Sequence, residues 1–310
     1  MKKISIGADI GGSHISTIAI DLDGAAILPA TYSRYLVNSN GSEEEILSAW
    51  KLCLAETCSK STEHPITGIG FAMPGPFDYD RGIAKFKGVQ KFDSLYGLDI
   101  RQKMKNCPGL PDNIPVRFLN DATCFAIGEA WLGEAGNHER VMAITLGTGF
   151  GSAFMIHGIP IETGDMVPLH GWVYHLPFGD SIADDHFSTR WFIRRYLEMT
   201  RVKLYGVREI AEKYQTDPAA CQIFNEFGKN LGVFLAPLIR DFQADCLVIG
   251  GNIANNYDFF KEPFQEELDH EKIMGLRVYA SAMAENAALA GSARLSDDIF
   301  YHKVSLAAFK

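Results

Sequence analysis

The chain has 310 residues, 47% of them hydrophobic, and carries a formal net charge of −9 at pH 7. A chain of this length can bury a large core and is long enough for two domains. Its acidic balance argues against a general nucleic-acid surface, because such a surface neutralises phosphates with clustered Lys and Arg.

Membrane and export functions are also disfavoured. The first apolar run, ISIGADI, is interrupted by Asp9 and has no cleavage-type flank, so it does not indicate a signal peptide. No apolar stretch approaches transmembrane length. The six cysteines form no CxxC pair, which is typical of reduced thiols in a cytosolic protein. We therefore predict a cytoplasmic protein with neither a membrane nor a nucleic acid as its partner.

The first element, GADIGGSHIS, places an aspartate inside an apolar run that breaks at two glycines. Aspartate is depleted in strands and costly to bury unpaired, so Asp9 is expected at the open end of a strand, beside water, a metal or a ligand. The following HISTIAIDLDG alternates and ends in a hairpin signal, so the pattern predicts strand, glycine turn and strand. Walker and dinucleotide loops lead into a helix instead. Ser13 and the backbone N–H groups of such a turn can bind a phosphate, although an ordinary hairpin with a solvated aspartate has the same pattern.

Helical and extended segments then alternate. EEEILSAWKLCLAETCSK predicts a helix, and ITGIGFAMPGPFD predicts a strand that ends at a Pro-Gly-Pro turn. In VRFLNDATCFAIGEAWLG a short strand over residues 116–119 passes into a helix, whose N-terminus Asn120 or Asp121 can cap.

The glycine pattern recurs twice. RVMAITLGTGFGSAFMIHGIPI predicts a second strand, glycine turn and strand, and ADCLVIGGNIANN predicts a buried strand that breaks at Gly250 and Gly251. A plain turn explains any one of these breaks, but three after apolar strands favour a shared nucleotide site in a duplicated architecture that holds a phosphate chain from both sides. A Rossmann-type oxidoreductase using GTGFG is the alternative enzyme class. It is disfavoured because the segment after these glycines predicts a strand, not the helix that a pyrophosphate site requires.

These segments resemble the motifs of the ROK family of sugar kinases and related repressors. DIGGSH resembles the family's DxGGT phosphate motif, GIGFAMPGPFD its iGia.PGpvd segment, and FLNDATCFAIGEAWLG its v.NDan.aalgE...G segment. ITLGTGFGSAFMIHG is similar to the second phosphate loop and VIGGNIA to the adenosine loop. The matches follow the family order from Ile4 to Arg294.

The resemblance implies an α/β fold with two domains of the actin-like, ribonuclease H-like ATPase type, with ATP and sugar in an interdomain cleft. Residues 1–117 and 285–310 would form the smaller N-terminal domain, to which the late helix AENAALAGSARL returns, and residues 118–284 the larger C-terminal domain. The tail SDDIFYHKVSLAAFK lies beyond the family pattern, and its alternation predicts an added strand or a partner contact. A homodimer is expected, since dimers are common in the family.

The implied activity is that of an ATP-dependent, glucokinase-like carbohydrate kinase that uses ATP and Mg²⁺. Asp121 corresponds to the catalytic base, which accepts the proton of the attacking sugar hydroxyl. Asp9 corresponds to a carboxylate that acts on Mg²⁺ through water. The sugar-binding residues implied by the resemblance are Gly75, Asn120, Asp121, His175 and Asp184. The implied ATP-binding residues are Gly11, Gly12, Ser13, His14, Gly147, Thr148, Gly149, Gly250, Gly251 and Asn252. Taken without the family, Asp121 could be only a helix N-cap and His175 a core histidine.

The chain departs from the family most clearly around His175. The family's ExGH motif aligns with WVYH, so Trp172 replaces the sugar-binding Glu and Tyr174 the glycine. An indole has one donor and no acceptor, so Trp172 either stacks on the sugar or turns into the core. No cysteine follows in DSIADDHFSTRWF where the family has its zinc loop, so no zinc site is predicted. Asp184, or its neighbour Asp185, stands where a later sugar-binding Glu would be.

Further departures and alternatives concern the substrate. Lys87 and Gln90 occur where the family has a sugar-contacting Asn, and a lysine there would favour an acidic or phosphorylated sugar unless it is only a solvated loop residue. A non-catalytic sugar or nucleotide sensor of the same fold is the alternative to a kinase. A repressor is not expected, because it would need a helix-turn-helix ahead of the first phosphate strand, which begins at Ile4.

Overall fold

The computed structural model describes residues 2–89, 91–105 and 107–308, so Gln90 lies outside the described residues. Within them the strands are β1 (Ile4–Ile10), β2 (His14–Asp21), β3 (Ala26–Leu36), β4 (Ile66–Met73), β5 (Phe77–Asp78), β6 (Ile83–Ala84), β7 (Val116–Asn120), β8 (Arg140–Leu146), β9 (Phe150–Ile156), β10 (Ile159–Ile161), β11 (Pro177–Phe178), β12 (Ser181–Ile182), β13 (Cys246–Gly250) and β14 (Arg277–Ala280). The α-helices are α1 (Glu43–Ser59), α2 (Ile100–Met104), α3 (Asp121–Leu132), α4 (Ala183–His186), α5 (Thr189–Thr200), α6 (Val207–Ala211), α7 (Pro218–Phe242), α8 (Tyr257–His270), α9 (Glu285–Arg294) and α10 (Asp298–Ala308).

Two mixed five-stranded sheets with the same strand arrangement form the framework of the described residues. Their orders are β3-β2-β1-β4-β7 and β10-β9-β8-β13-β14. In each sheet an antiparallel hairpin, β1–β2 or β8–β9, stands beside a strand parallel to its first member, β4 or β13. The predicted duplicated α/β architecture is therefore confirmed.

By their contacts the residues divide into two compact units. The first comprises Met1–Gly136, Gly158–Pro160 and Glu285–Lys310, and the second Asn137–His157 and Ile161–Ala284. The first unit thus continues past the predicted boundary at residue 117, because β7 pairs with β4 and α3 packs against α9.

The first sheet packs unusually closely against α9. A Cβ added at Gly7 of β1 would overlap the Leu289 carbonyl of α9, and one added at Gly70 of β4 would overlap the Ser292 carbonyl. The opposite face packs against α1, where Thr17 Oγ1 lies 3.2 Å from the Cys53 carbonyl oxygen. Because glycine has no side chain, the helix axis can approach the strands and bring the start of α9 to the carboxyl end of β1.

In the second unit a phenylalanine-rich core packs α5, α7 and α8 around the second sheet. The fully buried members include Phe187, Phe192, Phe224, Phe227 and Phe260. Burying each such ring stabilises the fold by about 1.5–3 kcal/mol. None of the helices in the described residues is both long and apolar enough to span a membrane.

The C-terminal tail forms helix α10, so the predicted added strand is wrong. Phe300 and Val304 are buried on one face of this helix, whereas His302 between them, which a strand would place on the same face, is exposed. The Arg117 guanidinium pairs with Asp298 and lies 4.1 Å from the ring centroid of Tyr301. These contacts belong to the first unit.

Candidate active site

The first glycine turn, Gly11–Ser13, joins β1 to β2. It is closed by a bond from Gly11 N–H to the His14 carbonyl at 2.9 Å, and Ser13 Oγ lies 3.1 Å from His14 Nδ1. Gly12 and Ser13 are exposed, and a Cβ added at Gly12 would meet no atom within 4 Å. The turn therefore offers backbone and hydroxyl donors to a ligand.

Asp9 lies one residue before the end of β1, level with Ser16 of β2 and Arg34 of β3. The pKa of Asp9 is raised to about 7, first by burial of the carboxyl and then by the carboxylates of Asp121 and Glu285, while Arg34 lowers it. Burial and the neighbouring carboxylates together thus disfavour the ionised form of Asp9.

Glu285, the first residue of α9, is a member of this site that the sequence did not predict. Its carboxylate accepts hydrogen bonds from Ser16 Oγ at 3.1 Å and from the Tyr32 hydroxyl at 2.8 Å. Arg34 lies 3.8 Å from the same carboxylate. No local motif could have indicated this contact, since Glu285 and Ser16 are 269 positions apart.

Asp121 and Asn120 occupy the junction between β7 and α3. Asn120 is the N-cap, and its Oδ1 accepts hydrogen bonds from Ala122 N–H at 3.0 Å and Thr123 N–H at 3.2 Å. Asp121 Oδ1 also accepts from Ala122 N–H, at 2.9 Å. Burial raises the pKa of Asp121, and this backbone bond and Lys91 oppose the shift. The cap function therefore belongs chiefly to Asn120.

The Pro-Gly-Pro turn after β4 lies beside Asn120. Asn120 Nδ2 donates to the Tyr79 hydroxyl at 3.4 Å, and that hydroxyl donates to the Met73 carbonyl at 3.2 Å. A Cβ added at Gly75 would lie 3.6 Å from the Tyr79 hydroxyl. Tyr79 was not predicted, and it places a hydroxyl beside two predicted sugar-binding residues.

The second glycine turn, Gly147–Gly149, joins β8 to β9. The carboxylate of Asp184 accepts a hydrogen bond from Phe150 N–H at 2.7 Å and another from Arg190 Nη2 at 2.5 Å. Arg190 Nη1 donates to the Thr148 carbonyl at 2.9 Å. Both oxygens of Asp184 are thus engaged by this turn and by Arg190, a residue that the sequence did not single out.

The third glycine break follows β13. Gly251 has a φ of +84°, and a Cβ there would overlap the carbonyl oxygen of Leu146 at the end of β8. Ile253 N–H donates to the same carbonyl at 3.0 Å. Gly251 and Asn252 are exposed, so a flat group can approach this backbone. Gly250 is the buried last residue of β13.

His175 is exposed and Trp172 half-buried, so His175 is not a core histidine. The Trp172 ring lies 4.7 Å from that of His170 and 6.2 Å from that of Tyr174, centroid to centroid. Tyr174 in turn lies 5.1 Å from His175. These side chains form an aromatic row on the second unit.

Two other predictions concern charge and metal. Lys87 is exposed and lies 5.5 Å from the centroid of the Tyr96 ring, which fits the solvated alternative. Within the described residues, the side chains that form a group of three close enough to hold a metal ion are Glu267 and His270 of α8 and the following Glu271, not a group containing His175. The absence of zinc stays a prediction.

Comparison with known proteins agrees with the motifs. A family model described as the ROK family matches residues 5–181, more than half of the chain. A glucokinase of Thermotoga maritima is 28% identical over 326 residues, covering 95% of this chain and 98% of that protein. A beta-glucoside kinase of Listeria innocua is 27% identical, covering 82% of this chain and 84% of that protein.

The fold is shared with solved structures. A ROK family glucokinase from Streptomyces griseus, crystallised in complex with glucose and AMPPNP, superposes with a TM-score of 0.73 at 23% identity. The superposition covers 94% of this chain and 98% of that chain. With the two matching sheets and the motifs in family order, the chain belongs to the ROK family.

Proposed function

We propose that this protein is an ATP-dependent sugar kinase that transfers the γ-phosphate of ATP to a hydroxyl of a hexose or hexose derivative. The observation that carries the proposal is the pair of carboxylates in the first unit. Asp9 lies one residue before the end of β1 and Asp121 begins α3, and the pKa of Asp9 is raised by burial and then by the charge of Asp121. In phosphoryl transfer a carboxylate base commonly orients the attacking hydroxyl, and a further carboxylate helps to hold Mg²⁺. The similarity to the T. maritima glucokinase supports the same reaction.

Asp121 is suited to act as the general base. Asn120 holds the first N–H groups of α3, so the Asp121 carboxylate is not required as the cap. Burial raises its pKa, which makes the carboxylate a stronger proton acceptor. In this role Asp121 accepts the proton of the sugar hydroxyl and aims that hydroxyl at the phosphorus.

Asp9 fits a divalent cation. Carboxylate oxygens are the donors that Mg²⁺ prefers, and the neighbouring charges of Asp121 and Glu285 disfavour ionised Asp9 unless further positive charge is present. When bound, Mg²⁺ would neutralise charge on the donor phosphates. Asp9 would hold its water shell, in keeping with the reluctance of this ion to lose water.

The glycine turns are proposed to bind the nucleotide. The exposed Gly12 and Ser13 of the first turn and Thr148 and Gly149 of the second offer donors to phosphates. The exposed backbone at Gly251 can contact the flat face of the adenosine. These contacts supply binding and positioning, whereas the first unit also supplies the base.

Gly75, Tyr79 and Asn120 are proposed to orient the sugar beside Asp121, through the hydroxyl and amide groups that meet there. The half-buried Trp172 and exposed His175 favour a substrate with an apolar face or a bulkier group at C1 or C2, since an indole stacks but accepts no hydrogen bond. The similarity to a beta-glucoside kinase supports this preference.

The test is a coupled assay of ADP release over hexoses, N-acetylhexosamines, β-glucosides and sugar phosphates, with saturating MgATP. We expect turnover of at least one neutral hexose or glycoside. The sensor alternative, which the loss of the ExGH glutamate favours, predicts sugar binding by calorimetry with no ADP release for any member. That result would overturn the proposal.

A further inference from the structure

The second glycine turn is fixed by side chains that lie outside it. Asp184 comes from α4 and Arg190 from α5, and both contact the turn. Thr189 N–H, in the first turn of α5, donates to the Gly147 carbonyl at 2.8 Å. The carbonyls of Gly147 and Thr148 are therefore both held on the side of α5.

Holding the carbonyls leaves the N–H groups of the turn for a ligand. Gly147 N–H closes the hairpin by donating to the Gly149 carbonyl at 3.1 Å. Within the described residues, the N–H groups of Thr148 and Gly149 donate to no backbone acceptor, and both residues are exposed. Successive free N–H groups in a turn are typical of an anion-binding concavity.

The charges at the turn are balanced. A Cβ added at Gly149 would lie 3.2 Å from Asp184 Oδ1, so the carboxylate lies directly beside the turn and would by itself repel a phosphate. Arg190 neutralises that carboxylate through a charge-assisted bond and has a half-exposed side chain. An exposed pair of this kind contributes little to stability, so its value lies in positioning.

We propose that Asp184 and Arg190 are positioning residues that fix the second glycine turn for the donor phosphates, and that Asp184 does not serve as a sugar ligand. This inference rests on the proposed kinase function. Its basis is that both Asp184 oxygens are already occupied by Phe150 N–H and Arg190. Each oxygen thus accepts a hydrogen bond that holds the carboxylate at the turn, which fits a positioning role.

The experiment measures the steady-state constants of Asp184→Asn, Arg190→Gln and Arg190→Lys, with Arg208→Gln as the matched control. Arg208 pairs with Glu212 on the exposed surface of α6 and touches no part of the turn. We expect Asp184→Asn and Arg190→Gln to raise KM for ATP about tenfold, the effect of losing one charge-assisted bond, with KM for the sugar unchanged. Arg190→Lys should raise KM for ATP by a smaller factor. Lysine keeps the positive charge beside Asp184, but one ammonium cannot donate in a fixed fork to both partners.

If Asp184 binds the sugar, Asp184→Asn should raise KM for the sugar and leave KM for ATP unchanged. That result would overturn the inference. Calorimetry with MgATP separates this failure from that of the proposed function. Wild-type protein that binds no ATP would contradict the kinase proposal itself. Wild-type protein that binds ATP no more tightly than Arg190→Gln would contradict only the role of the pair. If Asp184→Asn fails to fold, the two Arg190 variants show whether the pair affects KM for ATP.

Discussion

The two glycine turns each join the strands of an antiparallel hairpin but have different surroundings. The first, at Gly11–Ser13, is closed mainly by its own bond from Gly11 to His14, and Asp9 lies two residues before it among further carboxylates. The second, at Gly147–Gly149, is tied to α5 and has a carboxylate matched by a guanidinium. The two turns thus differ in the charges around them: carboxylates surround Asp9 beside the first, whereas Arg190 balances Asp184 at the second.

The largest effect that this comparison predicts is on Asp121. Asp121→Asn should lower kcat by about 10²–10⁴-fold while changing KM for ATP little, because it removes a proton acceptor and almost no volume. Measurement of kcat on the best sugar, with the exposed Asp112→Asn as control, tests this. A variant that keeps near wild-type kcat would remove Asp121 from the role of base and place the chemistry outside the first unit's carboxylate pair.

A smaller effect is expected on stability at the third glycine break. Gly251→Ala should destabilise the protein by about 2–3 kcal/mol, because alanine is strained at positive φ and its Cβ would overlap a carbonyl. Gly147→Ala, where the added Cβ meets no atom within 4 Å, should stay within about 1 kcal/mol of wild type. Urea denaturation measures both. Equal destabilisation by the two variants would show that the strain at Gly251 is relieved by movement of the loop.

The ionised carboxylate of Asp9 should lower the free energy of unfolding, because it is buried beside other carboxylates. Its pKa is 3.8 in an ordinary setting and about 7 in the fold, so folding above pH 7 must hold an ionised carboxylate in an unfavourable site. In metal-free buffer at pH 8, Asp9→Asn should therefore stabilise the protein by roughly 1–2 kcal/mol, after allowance for partial exposure, although it should abolish activity.

The stability gained by Asp9→Asn should depend on pH in one direction. The gain from Asp9→Asn should be constant above about pH 7, shrink as the pH falls from 7 towards 3.8, and vanish below 3.8, where the carboxyl is neutral in both the folded and the unfolded chain. Thermal unfolding across this range, with Asp112→Asn as control, measures it. A gain that grows as the pH falls, or none at pH 8, would mean that the first site is as well balanced in charge as the second.

The smallest expected effect is that of chelators. The chain has no cysteine near His175, so purified protein should contain no stoichiometric zinc, and EDTA should leave its thermal midpoint unchanged. Elemental analysis and thermal unfolding test this. About one zinc per chain would mean that ligands other than cysteine hold a metal.

The elements with strong periodicity could be predicted. The helix at α1, the strand before the Pro-Gly-Pro turn and both glycine hairpins follow from alternation, helical spacing and turn residues. The tail could not be predicted, because its apolar residues fit both a period of two and a spacing of four, and only the exposure of His302 between the buried Phe300 and Val304 distinguishes the helix. The role of Asp184 was predicted from alignment alone, which carries no information on what its oxygens already bind.

The sequence by itself determined the family, the duplicated sheets and the positions of the glycine turns, because these depend on local backbone demands that a few residues express. Only the tertiary structure decided which charges surround each turn. Glu285 contacts Ser16 because Gly7 and Gly70 let α9 lie close to the first sheet. Arg190 contacts Thr148 because α5 begins beside the second turn. Such contacts join residues distant in the chain, and electrostatic energy depends on their separation in space and their burial, which no short motif encodes.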